Sequence, residues 1–187
     1  MKFLKALISK NINGKKVLFL FVLTNLVYSF MLAFSIPKVM AHSNGMKLLD
    51  MMPTGYNFEY VNSLFKLLGE NGRELYLFLQ IPADMFYPFL FGIGYCLLIA
   101  FFLNKINKLD SIFFYLCLVP LLAGMADYIE NIGIIFMLNS YPAITNFSVE
   151  ITNLFTIVKS VATTIYFFAL IIVLVLFGID FVKRKRA

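Results

Sequence analysis

Four stretches of this sequence stay apolar for longer than a soluble helix requires, and they restrict what the chain can become. They cover residues 17–39, 76–103, 111–138 and 151–181. The hydrocarbon core of a bilayer is about 30 Å thick and takes about 20 helical residues to cross. Backbone polar groups in that medium must be bonded within the protein, and a helix does this within each segment. The expected fold class is therefore all-α, an integral membrane four-helix bundle forming one transmembrane domain over residues 1–187. Composition agrees. The chain is 61% hydrophobic and 14% charged, whereas soluble domains run near ~45–50% and ~25%.

The net charge of +6 invites a nucleic-acid reading, but its placement excludes one. Most basic residues flank the apolar runs and form no stripe interleaved with aromatics. Lys2, Lys5, Lys10, Lys15 and Lys16 precede the first span. Lys105 and Lys108 lie in the second connection, and Lys183, Arg184, Lys185 and Arg186 form the tail. The opposite side has Lys38, Lys47, Lys66 and Arg73, and residues 139–150 have none. Lys and Arg favour the cytoplasmic side, so both termini are expected there, in a plasma or inner membrane. A basic start, an apolar run and Val39-Met40-Ala41 also fit a cleaved signal peptide. The long basic region and the spanning length favour a retained helix. Ahead of it, Phe3, Leu4, Leu7 and Ile8 share a helical face and suggest a helix lying in the membrane surface.

The loop over residues 40–75 is expected to be extracytoplasmic and partly helical. Phe58, Val61, Leu64, Phe65 and Leu68 recur at helical spacing. Gly69 can stop that helix in a left-handed conformation, and Asn71-Gly72 reads as a turn. Met51, Met52, Pro53 and Gly55 form an irregular approach to the helix, so the loop should fold over the outer mouth of the bundle. Cys96 and Cys117 form no CxxC motif and read as packing residues. With His42 as the one histidine, a histidine-based zinc site is not expected, and neither is any cofactor.

The residues that break the apolar pattern carry the functional information. They are Gln80 and Asp84 in the second span, and Asp127, Glu130 and Asn131 in the third. In the fourth they are Lys159 with Thr152, Thr156 and Thr163. A charge at the centre of a spanning helix costs about 2.5–3.5 kcal/mol on insertion scales, so these groups require compensation. Asp84, Glu130 and Lys159 lie about eight residues from the outer ends of their spans and Asp127 about eleven, which at ~1.5 Å per residue is one layer. Asp127, Glu130 and Asn131 share a helical face, and Gly124 one turn earlier permits close approach. Pro88 cannot donate to the carbonyl of Asp84 and leaves it free. Tyr87 and Tyr128 stand nearby, and the first span offers Asn25 and Tyr28. Gln80 reads as interfacial and of little consequence. Three acids against one lysine leave surplus negative charge, to be met by a proton, a cation or Arg73 reaching in from the loop.

Two functional classes follow, beside a purely structural ion-pair network that sets helix register. In the first, the layer binds or processes a lipid or small amphiphile. Asp84, Asp127, Glu130 and Lys159 are then the catalytic candidates, and Asn131, Tyr87, Tyr128, Arg73 and Thr156 the substrate contacts. In the second, the chain is a proton- or cation-coupled transporter or channel subunit, acting as a homo-oligomer. A non-catalytic membrane assembly protein is the third and weakest alternative. Membrane lipids are expected partners in each case.

Overall fold

The apolar stretches form four helices long and apolar enough to cross a membrane in a computed structural model, which describes residues 2–186. The side chains of Lys2 and Arg186, used above to orient the chain, lie outside the described residues. The helices are α1 (Lys2–Asn11), α2 (Gly14–Phe30), α3 (Ile36–Met40), α4 (Phe58–Leu75), α5 (Ile81–Lys105), α6 (Val119–Ser140) and α7 (Asn146–Arg186). No strand occurs among the described residues. The chain is an all-α four-helix bundle with a membrane location, and a partly helical loop joins its first two spans.

Two of the spans contain a proline-linked irregularity of the same kind. A proline ring removes one helical hydrogen bond and crowds the preceding turn. Ahead of Pro37 the helix widens into a π turn over Met31–Ser35, joining α2 to α3. Ahead of Pro82 it widens again over Tyr76–Gln80, joining α4 to α5. These π turns carry the chain past each proline without ending the helix. The third span enters through a 3-10 segment, Ile112–Leu118, with Pro120 in the first turn of α6.

The part of α4 after Gly69 runs into the second span, and Asn71-Gly72 lies inside that helical piece instead of forming a turn. A Cβ on Gly72 would stand 2.8 Å from His42 Cβ, so this glycine serves close packing. Gly69, with φ of 62° and ψ of −170°, leaves the helical conformation, so the loop helix stops there as expected and a second helical piece begins after the kink. The surface face expected in α1 also divides. Leu4 and Ile8 pack into the bundle, while Phe3 and Leu7 are exposed.

Around the bundle α2 packs on α5, α5 on α6, and α6 on α7, with α7 also touching α5. The first and fourth spans barely meet, which leaves the ring open on one side. Buried apolar residues form two clusters. One, around Tyr95, Ile99, Cys117 and Tyr166, fills the end where the termini lie. The other, around Leu48, Val61, Phe65, Tyr76 and Met137, fills the loop end. Asp84, Asp127, Glu130, Asn131, Thr152 and Thr156 are buried between these clusters in chain order on every helix they occupy.

The loop is pinned to α7. The Tyr56 amide donates to Asn153 Oδ1 at 2.8 Å. Gly55 makes this possible: its φ is 87°, and a Cβ there would stand 2.3 Å from the same oxygen. Gly45 has a similar φ of 86° but open space around it. Gly55→Ala is therefore expected to release the loop to protease, with a cost above the ~1–2 kcal/mol of left-handed strain alone. Gly45→Ala should incur only the strain. Equal proteolysis rates in the two variants would show that the Asn153 contact is dispensable.

Candidate functional site

The deepest part of the site is an ion-paired triad. Lys159 Nζ lies 3.1 Å from Asp127 Oδ1 and pairs with Glu130 Oε2. Glu130 is fully buried, so this pairing is what makes its position tenable. Its other oxygen, Oε1, lies 2.9 Å from the Thr156 hydroxyl, which is 3.2 Å from the Tyr56 hydroxyl. Thr156 has one proton to give. It donates to Glu130 and accepts from Tyr56, so the loop is bonded through α7 to α6. Burial pushes the Tyr56 phenol above its usual range, which keeps it in the donor form.

The carbonyl that Pro88 leaves free has a partner. Asn131 Nδ2 donates to the Asp84 carbonyl oxygen at 3.0 Å. Replacing Asn131 by Leu should leave that buried acceptor unpaired, at about 1–3 kcal/mol. Pro88→Ala supplies a backbone N–H at the missing position, so the double variant should melt above Asn131→Leu alone. A double variant no more stable than Asn131→Leu would show that the bond contributes nothing. Gly124 sets the spacing of these helices: a Cβ there would stand 2.7 Å from the Pro88 carbonyl oxygen.

A second polar group closes the loop end. Asp50 Oδ1 accepts from the Tyr76 hydroxyl at 2.7 Å, and Oδ2 accepts from Gln80 Nε2 at 2.8 Å. Gln80 Oε1 in turn accepts from the Ser35 hydroxyl at 2.6 Å. Gln80 is fully buried, which overturns its reading as an interfacial residue of little consequence. The π turn ending at Gln80 shifts the helical register and brings the side chain inward. Ser35 ends the opposing π turn, so the two widened turns are bonded to each other and to the loop.

Between the triad and the Asp50 network lies a cleft of about 420 Å³. Its floor carries Asp84 and Tyr87 from α5, Asp127 from α6 and Lys159 from α7. Tyr28, Leu32 and Ile36 form one wall, Ser160, Thr163 and Thr164 the other, and Asp50, Met51 and Pro53 the roof. The walls belong to the first and fourth spans, the pair that does not close, and Leu32 and Thr164 are exposed at their rims.

No family model matches the chain, and no curated protein or solved structure does either. Function has to be read from the geometry.

Four of the candidates, Asp84, Tyr87, Asp127 and Lys159, line one cleft. Glu130 and Thr156 are bonded to the triad behind it, and Asn131 is bonded to the Asp84 backbone. Tyr128 is half-buried on α6 and lines no part of the cleft. Arg73 is elsewhere: it donates to the Phe65 carbonyl at 2.8 Å and sits 4.5 Å from the Tyr141 ring. It therefore neutralises none of the acids in the layer. Asn25 bonds the Tyr95 hydroxyl at 3.2 Å, below the cleft. Among the described residues no cluster of His, Cys, Asp or Glu could hold a metal ion.

Asp50, Ser35 and Tyr56 belong to the site without having stood out in the sequence. Signals for them do exist. Asp50 is the lone acid in Leu48-Leu49-Asp50-Met51-Met52, and Ser35-Ile36-Pro37 has the same polar-Ile-Pro form as Gln80-Ile81-Pro82.

Proposed function

We propose that this protein binds a membrane amphiphile, a lipid or a smaller single-chain molecule, with its headgroup in the cleft and its chain leaving between the first and fourth spans. The carrying observation is the shape of the cleft: polar on its floor, roofed by the loop, and open where two membrane-length helices fail to meet. In a bilayer such an opening faces acyl chains, while water is kept from the floor by the loop. The excess of Lys and Arg at the other end supports an arrangement with both termini in the cytoplasm, in a plasma or inner membrane. The polar layer then lies in the outer half of the bilayer. Below it, Phe91, Tyr95 and Tyr166 pack ring against ring and are buried, which favours a binding pocket over a path through the bundle.

Side chains that fill the cleft test the proposal. Ser160→Trp and Thr163→Trp should each lower the affinity for a spin-labelled dodecyl amphiphile at least tenfold, about 1.4 kcal/mol. Leu174→Trp, on an exposed stretch of the same helix, should leave it unchanged. Absence of saturable binding to the wild-type protein, or equal losses in all three variants, overturns the reading.

A further inference from the structure

The proposed binding site has an unbalanced charge that points to the chemistry of its headgroup. Asp50, Asp84 and Asp127 line the cleft and Glu130 lies behind it, while Lys159 is the one cationic side chain of the lining. The Lys159 ammonium is already engaged by Asp127 and Glu130, and both Asp50 oxygens are taken by Tyr76 and Gln80. Asp84 differs from all of these. It is 3% exposed and faces the cleft, and its carboxylate has no hydrogen-bond or ion-pair partner among the described residues. A buried carboxylate without a partner is costly to maintain for structure alone. The Asp84 backbone carbonyl is held by Asn131, which fixes the turn that carries this side chain.

We infer that the headgroup taken by this cleft is an ammonium, with Asp84 as its counter-charge; this rests on the amphiphile reading above. An anionic headgroup, a phosphate or carboxylate alone, would meet three carboxylates with no uncommitted cation to receive it. A neutral hydroxyl headgroup would offer Asp84 a hydrogen bond but no balancing charge. An ammonium supplies both the charge and up to three N–H donors. Aromatic rings add to the match. Tyr28 and Tyr87 line the cleft stacked at 5.4 Å between centroids, and Phe91 lies 5.7 Å from Tyr87. Ring faces of this kind attract a cation that has left water. The ammonium of Lys159, already held by carboxylates one helix away, occupies the same kind of environment.

The test compares amphiphiles of one chain length on the full-length protein, in nanodiscs of a galactolipid that carries no amine. Dodecylammonium should bind at least tenfold more tightly than dodecanol, and dodecyl phosphate more weakly than dodecanol. Ethanolamine, an amine without a chain, should not compete at equal concentration; competition would overturn the assignment to a membrane-borne amine. Asp84→Asn should reduce dodecylammonium to the level of dodecanol, whereas Asp84→Glu should keep the preference. If Asp84→Asn does not give monodisperse protein, the wild-type order of the three ligands decides. Dodecanol binding as tightly as dodecylammonium, or an unchanged preference in a folded Asp84→Asn protein, refutes the ammonium while the amphiphile site stands. Absence of binding by every dodecyl compound overturns both.

Discussion

Lys159→Met should be among the most damaging single changes in this protein, at about 3–5 kcal/mol. The cost comes from what is left behind rather than from the lost contact. Asp127 and Glu130 have side chains 7% and 0% exposed and share this one ammonium. Without it, two carboxylates stand in a buried layer with no cation to balance them. Asp127→Asn or Glu130→Gln alone removes one acid and leaves a pair behind, so each should be milder. The triple variant Lys159→Met, Asp127→Asn, Glu130→Gln carries no unpaired charge in the triad and should recover most of the loss. Thermal melting in detergent and the monodisperse yield of the purified protein read this directly. A triple variant as unstable as Lys159→Met would mean that the lysine acts through packing of its stem instead of its charge.

That prediction also separates structure from function within the site. A triad that only fixed helix register would be satisfied by the neutral triple variant in every respect. On the amphiphile reading, the same variant should fold and still bind dodecylammonium, because Asp84 is untouched. Folding and ligand preference therefore report on different residues of one layer.

Much of this layer was legible in the sequence because spanning helices obey strict geometry. A fixed rise per residue converts positions along four apolar runs into depth, and so placed Asp84, Asp127, Glu130 and Lys159 at one level. Three of these meet in the cleft and Glu130 closes the triad behind them. The covalent constraint of proline was equally readable: the Asp84 carbonyl is free of Pro88 and is used by Asn131. What could not be read was which loop residues enter the site, although the loop helix with buried Val61, Leu64, Phe65 and Leu68 was legible. Asp50 and Tyr56 enter the site through a segment with no regular period, held by Gly55 and Asn153. Gln80 was misjudged because a π turn breaks the 3.6-residue rule that assigns faces. Tyr128 is next to Asp127 in sequence but lines no part of the cleft, and Arg73, expected to reach in from the loop, is held by the Phe65 carbonyl and the Tyr141 ring instead. Local periodicity carries information within an element, and these errors arise where elements meet.

Gly124→Ala carries the other large effect, and its sign is the informative part. In a helix interior, replacing Gly by Ala normally stabilises by about 1 kcal/mol, since Gly has the greater freedom to lose. Gly178 in α7 has nothing within 4 Å of an added Cβ, so Gly178→Ala should show that ordinary gain or no change. At Gly124 the added carbon would stand 2.7 Å from the Pro88 carbonyl oxygen, 3.5 Å from its carbon and 3.7 Å from Gly92 Cα. All three are backbone atoms and cannot rotate away, so α5 and α6 must separate. Overpacking of this kind costs about 1–3 kcal/mol, which reverses the expected sign. The movement also reaches the site, because Asn131 is two turns along α6 and holds the Asp84 carbonyl across the same seam. Gly124→Ala should therefore lower the melting temperature and weaken dodecylammonium binding, while Gly178→Ala does neither. Gly124→Ala melting at or above the wild-type temperature would show that the two helices can separate without loss, and that their close approach does not hold Asp84 in place.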